Sequence, residues 1–247
     1  MKKTLILLLF SVLMYACTGN TANVSPTSAS GVGGSTARFT IANNYLYIVD
    51  NQSLKVFNIL EASNPIFIKR IAINTIVETI FPFNNFLLVG TQNGMYIFDI
   101  TAPENPQFVS VYAHIVSCDP VVAEGNYAYV TLRSGTNCNR GINVLDVINI
   151  KDLKNPSLIK TYQMKSPHGL GVDANLLFVT EGDYGLKVFD KSNPNELKEI
   201  KNFTDISAMD VIADKNVLIV TGNDGVYQYS YNTQNELKLL SKINIEL

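Results

Sequence analysis

The stretch from Met209 to Tyr231, MDVIADKNVLIVTGNDGVYQYSY, contains three apolar runs separated by two reversals. Met209–Ala213 and Val217–Thr221 flank Asp214-Lys215-Asn216, and Gly222-Asn223-Asp224-Gly225 leads into Val226–Tyr231. Short runs rich in β-branched and aromatic residues, bounded by Gly, Asn and Asp, read as antiparallel strands. Those turn residues tolerate positive φ and hydrogen-bond their own backbone, which a tight reversal needs. After a polar link, Leu237–Ile243 supplies a fourth run. The unit is therefore expected to be a four-stranded antiparallel sheet.

Upstream the same phase recurs four times. The Asn that opens each second run falls at Asn44, Asn85, Asn126, Asn175 and Asn216, spaced by 41, 41, 49 and 41 residues. Such regularity is the signature of a repeat architecture. Second strands are expected at Tyr45–Val49, Phe86–Val89, Tyr127–Val130 and Leu176–Val179, and third strands at Leu54–Phe57, Met95–Phe98, Ile142–Leu145 and Leu186–Phe189. The chain then runs into Asn64-Pro65, Asn105-Pro106, Asn155-Pro156 and, shifted, Asn193-Pro194. Proline cannot donate to a ladder, so it belongs ahead of an outermost strand.

The copies span about residues 37–76, 77–117, 118–166, 167–207 and 208–247. They predict an all-β protein, a five-bladed β-propeller of four-stranded antiparallel blades. Radial packing covers both faces of each sheet, which explains inner strands that are apolar nearly throughout instead of alternating. A straight β-solenoid fits less well, since its coils repeat at shorter periods. The ring is expected to close by side-chain packing between the first and last blades, with no shared strand.

Leu46-Tyr47-Ile48-Val49-Asp50 and the segment Gly94-Met95-Tyr96-Ile97-Phe98-Asp99-Ile100-Thr101-Ala102-Pro103-Glu104-Asn105-Pro106 resemble the LVIVD repeat, a bacterial β-propeller family. The resemblance runs over about residues 37 to 243. In the fourth and fifth copies Asn195-Glu196-Leu197-Lys198 and Asn235-Glu236-Leu237-Lys238 replace the Asn-Pro pattern. It implies a propeller, often exported, and brings no catalytic residues with it.

Lys2 and Lys3 precede the apolar run Leu5–Met14, followed by Tyr15-Ala16-Cys17. This is the pattern of a secretory signal, too short for the ~20 residues of a spanning helix. A small residue before Cys17 resembles a lipobox and points to lipidation at Cys17; ordinary cleavage near Ala16 is the alternative. Two or three acyl chains, at ~0.8 kcal/mol per buried CH₂, would hold the protein stably on a membrane. Thr18 to Thr36 is uncharged and rich in Ser, Thr, Gly, Asn and Ala, so residues 18–36 read as a flexible tether with a reach of about 25 Å. Thr18-Gly19-Asn20 carries no acidic residue, so nothing there marks retention at the inner membrane. The expected location is the bacterial cell envelope, at the outer membrane, with the leaflet left open.

Removing residues 1–17 takes away two of 19 basic residues and none of 21 acidic ones, leaving a net charge of −4. With no basic cluster, nucleic-acid binding is not expected. The absence of tryptophan weakens the case for a sugar-stacking platform. Cys118 precedes the first strand of the third copy, and Cys138 lies in the long loop between its second and third strands. Topology brings both to one rim, where export favours a disulfide worth ~3 kcal/mol in the loop-entropy model; two independent thiols are the alternative.

The same rim carries the candidate site. Seven residues before each ruler Asn stand Ala37, Glu78, Asp119, His168 and Met209, and the next positions add Arg38 and Asp210. Strand one lines a propeller's channel, so Arg38, Glu78, Asp119, His168 and Asp210 are expected to ring its mouth, aided by the loop Arg133–Arg140. Polar residues also line any wet channel mouth without a ligand. An enzyme would use Glu78 and Asp119 as paired carboxylates for glycoside hydrolysis. A single His without local ligand spacing is a weak metal signal, and His114 reads as a solvated loop residue. Gly-x-Ser-x-Gly, His-Glu-x-x-His and phosphate-cradling loops are absent, and no cofactor or metal is expected. The function expected is a lipid-anchored binding or scaffold module for a protein or glycan partner. The alternatives are a carbohydrate-active enzyme and a purely structural envelope component; the oligomeric state is not legible.

Overall fold

The computed structural model describes residues 33–113, 120–134, 142–232, 234 and 236–245. Cys17, His114, Cys118, Asp119 and Cys138 lie outside the described residues, and with them the lipidation site, the disulfide and one member of the carboxylate pair. Among the described residues no helix is long and apolar enough to cross a membrane.

Among the described residues, twenty strands form five sheets of four, each in sequential antiparallel order. Blade one holds β1 (Phe39–Ala42), β2 (Tyr45–Asp50), β3 (Ser53–Asn58) and β4 (Ile66–Ala72). Blade two holds β5 (Val77–Phe83), β6 (Phe86–Thr91), β7 (Gly94–Asp99) and β8 (Gln107–Ala113). Blade three holds β9 (Val121–Glu124), β10 (Tyr127–Leu132), β11 (Val144–Asn149) and β12 (Ser157–Gln163). Blade four holds β13 (Leu170–Asp173), β14 (Leu176–Thr180), β15 (Leu186–Asp190) and β16 (Lys198–Phe203). Blade five holds β17 (Asp210–Asp214), β18 (Val217–Gly222), β19 (Gly225–Tyr231) and β20 (Leu237–Asn244). The architecture is the expected five-bladed propeller. In blade three the third strand begins two residues later than expected, at Val144 instead of Ile142.

The ruler Asn has a structural cause. Asn43-Asn44 and Lys215-Asn216 both place two consecutive residues at positive φ, the geometry of a type I′ hairpin turn. The ruler carbonyl then accepts from the residue at or just past the end of strand three: Ile59 N on Asn44 O, Ile100 N on Asn85 O, Ile150 N on Asn126 O, Lys191 N on Asn175 O and Tyr231 N on Asn216 O, all at 2.8–3.0 Å. Strand three ends in Asn58, Asp99, Asn149 or Asp190, whose side chain accepts the N–H two residues on and starts the turn to the outer strand. All five blades carry a bulge between strands three and four at the same place, which bends the outer strand.

Packing between successive blades is apolar and buried. Tyr47, Leu54 and Val56 of blade one meet Ile80, Leu87 and Phe98 of blade two. Leu88, Met95 and Ile97 meet Val121, Val130 and Ile148, and Tyr129, Leu145 and Val147 meet Leu170, Val179 and Phe189. Phe178, Leu186 and Val188 then meet Val211, Val220 and Tyr229. Threonines five residues past the ruler stitch two of these interfaces: Thr131 Oγ1 donates to His168 O at 2.7 Å and Thr180 Oγ1 to Met209 O at 3.0 Å.

Between blade five and blade one the arrangement differs from expectation. Among the described residues no strand is exchanged, but no buried apolar cluster joins these two blades either. Polar contacts of the segment before β1 link the ends instead. Ser35, fully buried, accepts from Leu170 N at 2.6 Å and donates to Asp210 Oδ1 at 3.2 Å. Ala37 O accepts from Ile80 N at 2.9 Å. Residues 33–36, which composition assigns to the tether, are thus docked on the inner strands of blades four and five.

Candidate functional site

Arg38 and His168, just ahead of the first strands of blades one and four, Glu78 on the first strand of blade two and Arg133 just past the second strand of blade three form a linked set of charged and polar groups. Arg38 is exposed at the entry to β1, where its Nη2 donates to Asn51 Oδ1 at 3.0 Å and to Val77 O at 3.4 Å. Those bonds lay the guanidinium along the start of β5. Glu78, next to Val77, is half-buried, and its register neighbours Val77 and Thr79 pair across a bulge. Burial pushes the Glu78 carboxyl up from its ordinary pKa, against the pull of Arg38 and Arg133. Arg133, immediately after β10, is itself lowered by burial and held charged by Glu78. The charges of two guanidinium groups, from blades one and three, thus act on a half-buried carboxyl of blade two.

His168 continues this cluster into blade four. Its Nδ1 lies 2.7 Å from Ser166 O, and since a carbonyl only accepts, Nδ1 carries the hydrogen. Nε2 is left as the acceptor. The ring rests against Gly182, where an added Cβ would come 3.1 Å from His168 Cε1 at a φ of +61°. Burial lowers the His168 pKa first, and Arg133 lowers it further, against Ser166, Asp183 and Glu181. Burial thus favours the neutral imidazole.

The loop that carries His168 is pinned by a residue that sequence reading did not single out. Glu181, fully buried, accepts from Lys165 N at 2.5 Å and from Ser166 N at 3.3 Å through Oε1. Lys187 Nζ stands 3.3 Å from Oε2 as an ion pair without hydrogen-bond alignment, and also 3.4 Å from Glu199. The sequence shows Glu181 only as one acid after an apolar strand; no spacing marks it.

Asp210 departs from the expected ring. Both of its oxygens are taken, by Ser35 and by Thr36, and its pKa is raised by burial against those hydrogen bonds. It locks the chain entry and leaves the open cluster to Arg38, Glu78, Arg133 and His168. Asp119 belongs to the residues outside the description, and Ala37 and Met209 hold the corresponding positions of blades one and five. Among the described residues no three His, Cys, Asp or Glu side chains gather as metal ligands.

The raised pKa of Asp210 fixes the sign of a pH effect. A carboxyl raised on folding contributes stability that is full below its unfolded pKa and is lost as pH rises through the folded value. Wild type is therefore expected to lose stability relative to Asp210→Asn as pH rises through and beyond the ordinary carboxylate range. Urea unfolding of both proteins across that range checks it; a difference that grows in favour of wild type contradicts it.

The LVIVD repeat model matches residues 33–72 and 83–114, so blades one and two carry this repeat. The other three blades keep its strand plan with diverged sequence. No curated protein sequence matches the chain significantly. Among solved structures, a functionally unknown protein from Desulfotomaculum acetoxidans is 10% identical over 85% of this chain and 70% of that chain, with a TM-score of 0.70. The periplasmic gluconolactonase of Pseudomonas aeruginosa is 12% identical over 84% of this chain and 69% of that one, with a TM-score of 0.65. BamB from Moraxella catarrhalis is 13% identical over 83% and 60%, with a TM-score of 0.54. At these identities the likeness is one of fold alone.

Proposed function

We propose that this five-bladed propeller, whose first two blades are LVIVD repeats, is an exported binding or scaffold module that takes a protein or glycan partner at its channel mouth. One observation carries the reading: Glu78 is half-buried next to Val77, whose carbonyl takes the Arg38 guanidinium at 3.4 Å, and the charges of Arg38 and Arg133 act on its carboxyl while that of Arg133 also acts on His168. Desolvating a carboxylate is unfavourable, so a merely wet rim would leave it in water. Here donors and acceptors from four blades are fixed before any partner arrives, which lowers the ordering cost of binding. Guanidinium donors, a carboxylate and an imidazole acceptor match the hydroxyls of a sugar or the amides of a peptide loop.

The N-terminal pattern of Lys2, Lys3, an apolar run and Ala16-Cys17 supports export and lipidation at Cys17 in this reading. The module would then stand at the outer membrane, facing partners of the envelope. Mass spectrometry of the N-terminal peptide should show an acylated Cys17; an unmodified peptide removes the anchor from the proposal.

Binding is tested with the full chain on glycan arrays and in pull-downs from envelope extracts. Glu78→Gln and Arg133→Ala are each expected to weaken the signal about tenfold to a hundredfold, as loss of a hydrogen bond to a charged group does, with unfolding unchanged. Undiminished signal in both variants overturns the site. The raised pKa of Glu78 also fits a second reading, in which it serves as general acid toward a glycosidic bond with Asp119 as its partner. Turnover of a sugar substrate by wild type, lost in Glu78→Gln, would decide for that reading.

A further inference from the structure

We propose that the cleft between the β2–β3 turn and the link of residues 73–76 that leads into β5 is a second binding site, and that it takes a carboxylated sugar such as a uronic acid. The cleft has a volume of about 500 Å³, within the range of small-molecule sites. Gln52, Arg70, Asn74 and Thr75 line it with polar side chains, and Ala72 and Ile76 with apolar ones. Its charge calls for an anion. Arg70 on β4 stands directly opposite Lys55 on β3, so two cations share one face of the sheet, where like charges repel. Lys55 Nζ is neutralised by Asp50 Oδ2 at 3.0 Å. Arg70 has no such acid: among the described residues its guanidinium makes no hydrogen bond or ion pair. One positive charge is therefore left over at the cleft, on a planar fork that matches a carboxylate in bidentate geometry.

The rest of the cleft selects what carries that carboxylate. Ile73 N donates to Gln52 O at 2.8 Å, Val77 N to Asn51 O at 3.0 Å and Gln92 N to Ile76 O at 3.0 Å. These backbone groups are spent on the fold, whereas a peptide that docks by strand addition needs them free. The side chains of Gln52, Asn74 and Thr75 make no hydrogen bond among the described residues. Two amides and a hydroxyl each donate and accept, which suits the neighbouring hydroxyls of a sugar ring. Ile76 is 42% exposed beside them and offers a surface for the ring's C–H face, whose covering removes apolar area from water. A neutral sugar would leave Arg70 unpaired, and a bare anion would leave the amides unused; a sugar acid meets both. The cleft adjoins the channel mouth through Asn51, whose Oδ1 accepts from Arg38. Arg38, Glu78, Arg133 and His168 do not line it, so this inference stands apart from the reading of the mouth.

Titration of the full chain in mild detergent, followed by NMR, tests it with glucuronate as the probe and with glucose, acetate and a glutamate-rich peptide as comparisons. Glucuronate should shift the side-chain amide signals of Gln52 and Asn74 saturably and in parallel. Glucose and acetate should each bind at least about tenfold more weakly, since each meets only one half of the cleft. Arg70 is exposed, so Arg70→Gln is expected to fold, and it should bind glucuronate about tenfold to a hundredfold more weakly, as loss of a hydrogen bond to a charged group does. Glu78→Gln should bind glucuronate as wild type does, which separates this site from the channel mouth. No saturable shift of the two amides, equal binding of glucose or acetate, or tighter binding of the peptide at the same amides overturns the proposal. So does an unchanged affinity in Arg70→Gln, or a loss in Glu78→Gln as large as that in Arg70→Gln.

Discussion

Phe178→Ala is expected to lower unfolding stability by about 3–5 kcal/mol, whereas Ile219→Ala, at the same place in the next blade, is expected to lower it by less than about 1 kcal/mol. Phe178 is fully buried between blades four and five, and its ring meets Tyr231 edge-on with centroids 5.2 Å apart. Truncation removes most of an aromatic side chain and opens a cavity that two rigid sheets cannot collapse. The edge-to-face contact adds about 0.5–1.5 kcal/mol beyond the buried area. Ile219 faces outward on the last blade, so its methyl groups leave little behind when removed. Chemical denaturation at neutral pH measures both. Comparable losses at the two sites would mean that the outward face of blade five is covered as those of the other blades are.

That comparison rests on the feature of the fold most visible in the sequence, the repeat itself. The ruler Asn is legible because its carbonyl receives the chain at the end of strand three in every blade; positive φ falls on it in blades one and five, and on the residue before it, Asn84, Gly125 or Ala174, in the other three. Where a local rule and the ladder agree, as in Leu54–Phe57 or Val226–Tyr231, strand positions follow from composition alone. Blade three fails at its third strand because Ile142 and Asn143 look like its beginning. Asn143 instead accepts from Ser134 N at 2.9 Å and donates to Lys165 O at 2.7 Å, which ties it outside the ladder. Ser35 and Thr36 were not legible as structure. Their small polar side chains become part of the fold only because Asp210, far along the chain, supplies acceptors for them. The site divides the same way: periodicity brings Glu78 and His168 to one rim, but nothing local in the sequence reveals that Asp210 is sequestered or that Glu181 holds the His168 loop.

Glu181→Ala is expected to destabilise the protein by about 3 kcal/mol, the lower end of the range for removing one partner of a buried ion pair. The low end applies because Lys187 keeps a second carboxylate, Glu199, at 3.4 Å and its side chain is only partly enclosed. Part of the loss comes from elsewhere: the part-buried amides of Lys165 and Ser166 lose their acceptor. An unsatisfied buried donor costs about 1–3 kcal/mol. Glu181→Gln retains an amide oxygen for those donors and should lose less than half as much. The two variants therefore separate the carboxylate's charge from its hydrogen-bonding role. A structural role confined to packing would affect both alike. Because Ser166 O fixes the His168 tautomer, Glu181→Ala should also shift the His168 ring resonances in an NMR titration, while Glu181→Gln leaves them near their original positions. A stability loss below about 1 kcal/mol with unmoved imidazole signals would show that the segment 164–167 holds its place without Glu181. The preorganisation argued for the rim would then rest on the backbone bonds of His168 itself, its N–H to Thr180 O at 2.7 Å and its carbonyl from Thr131 Oγ1 at 2.7 Å.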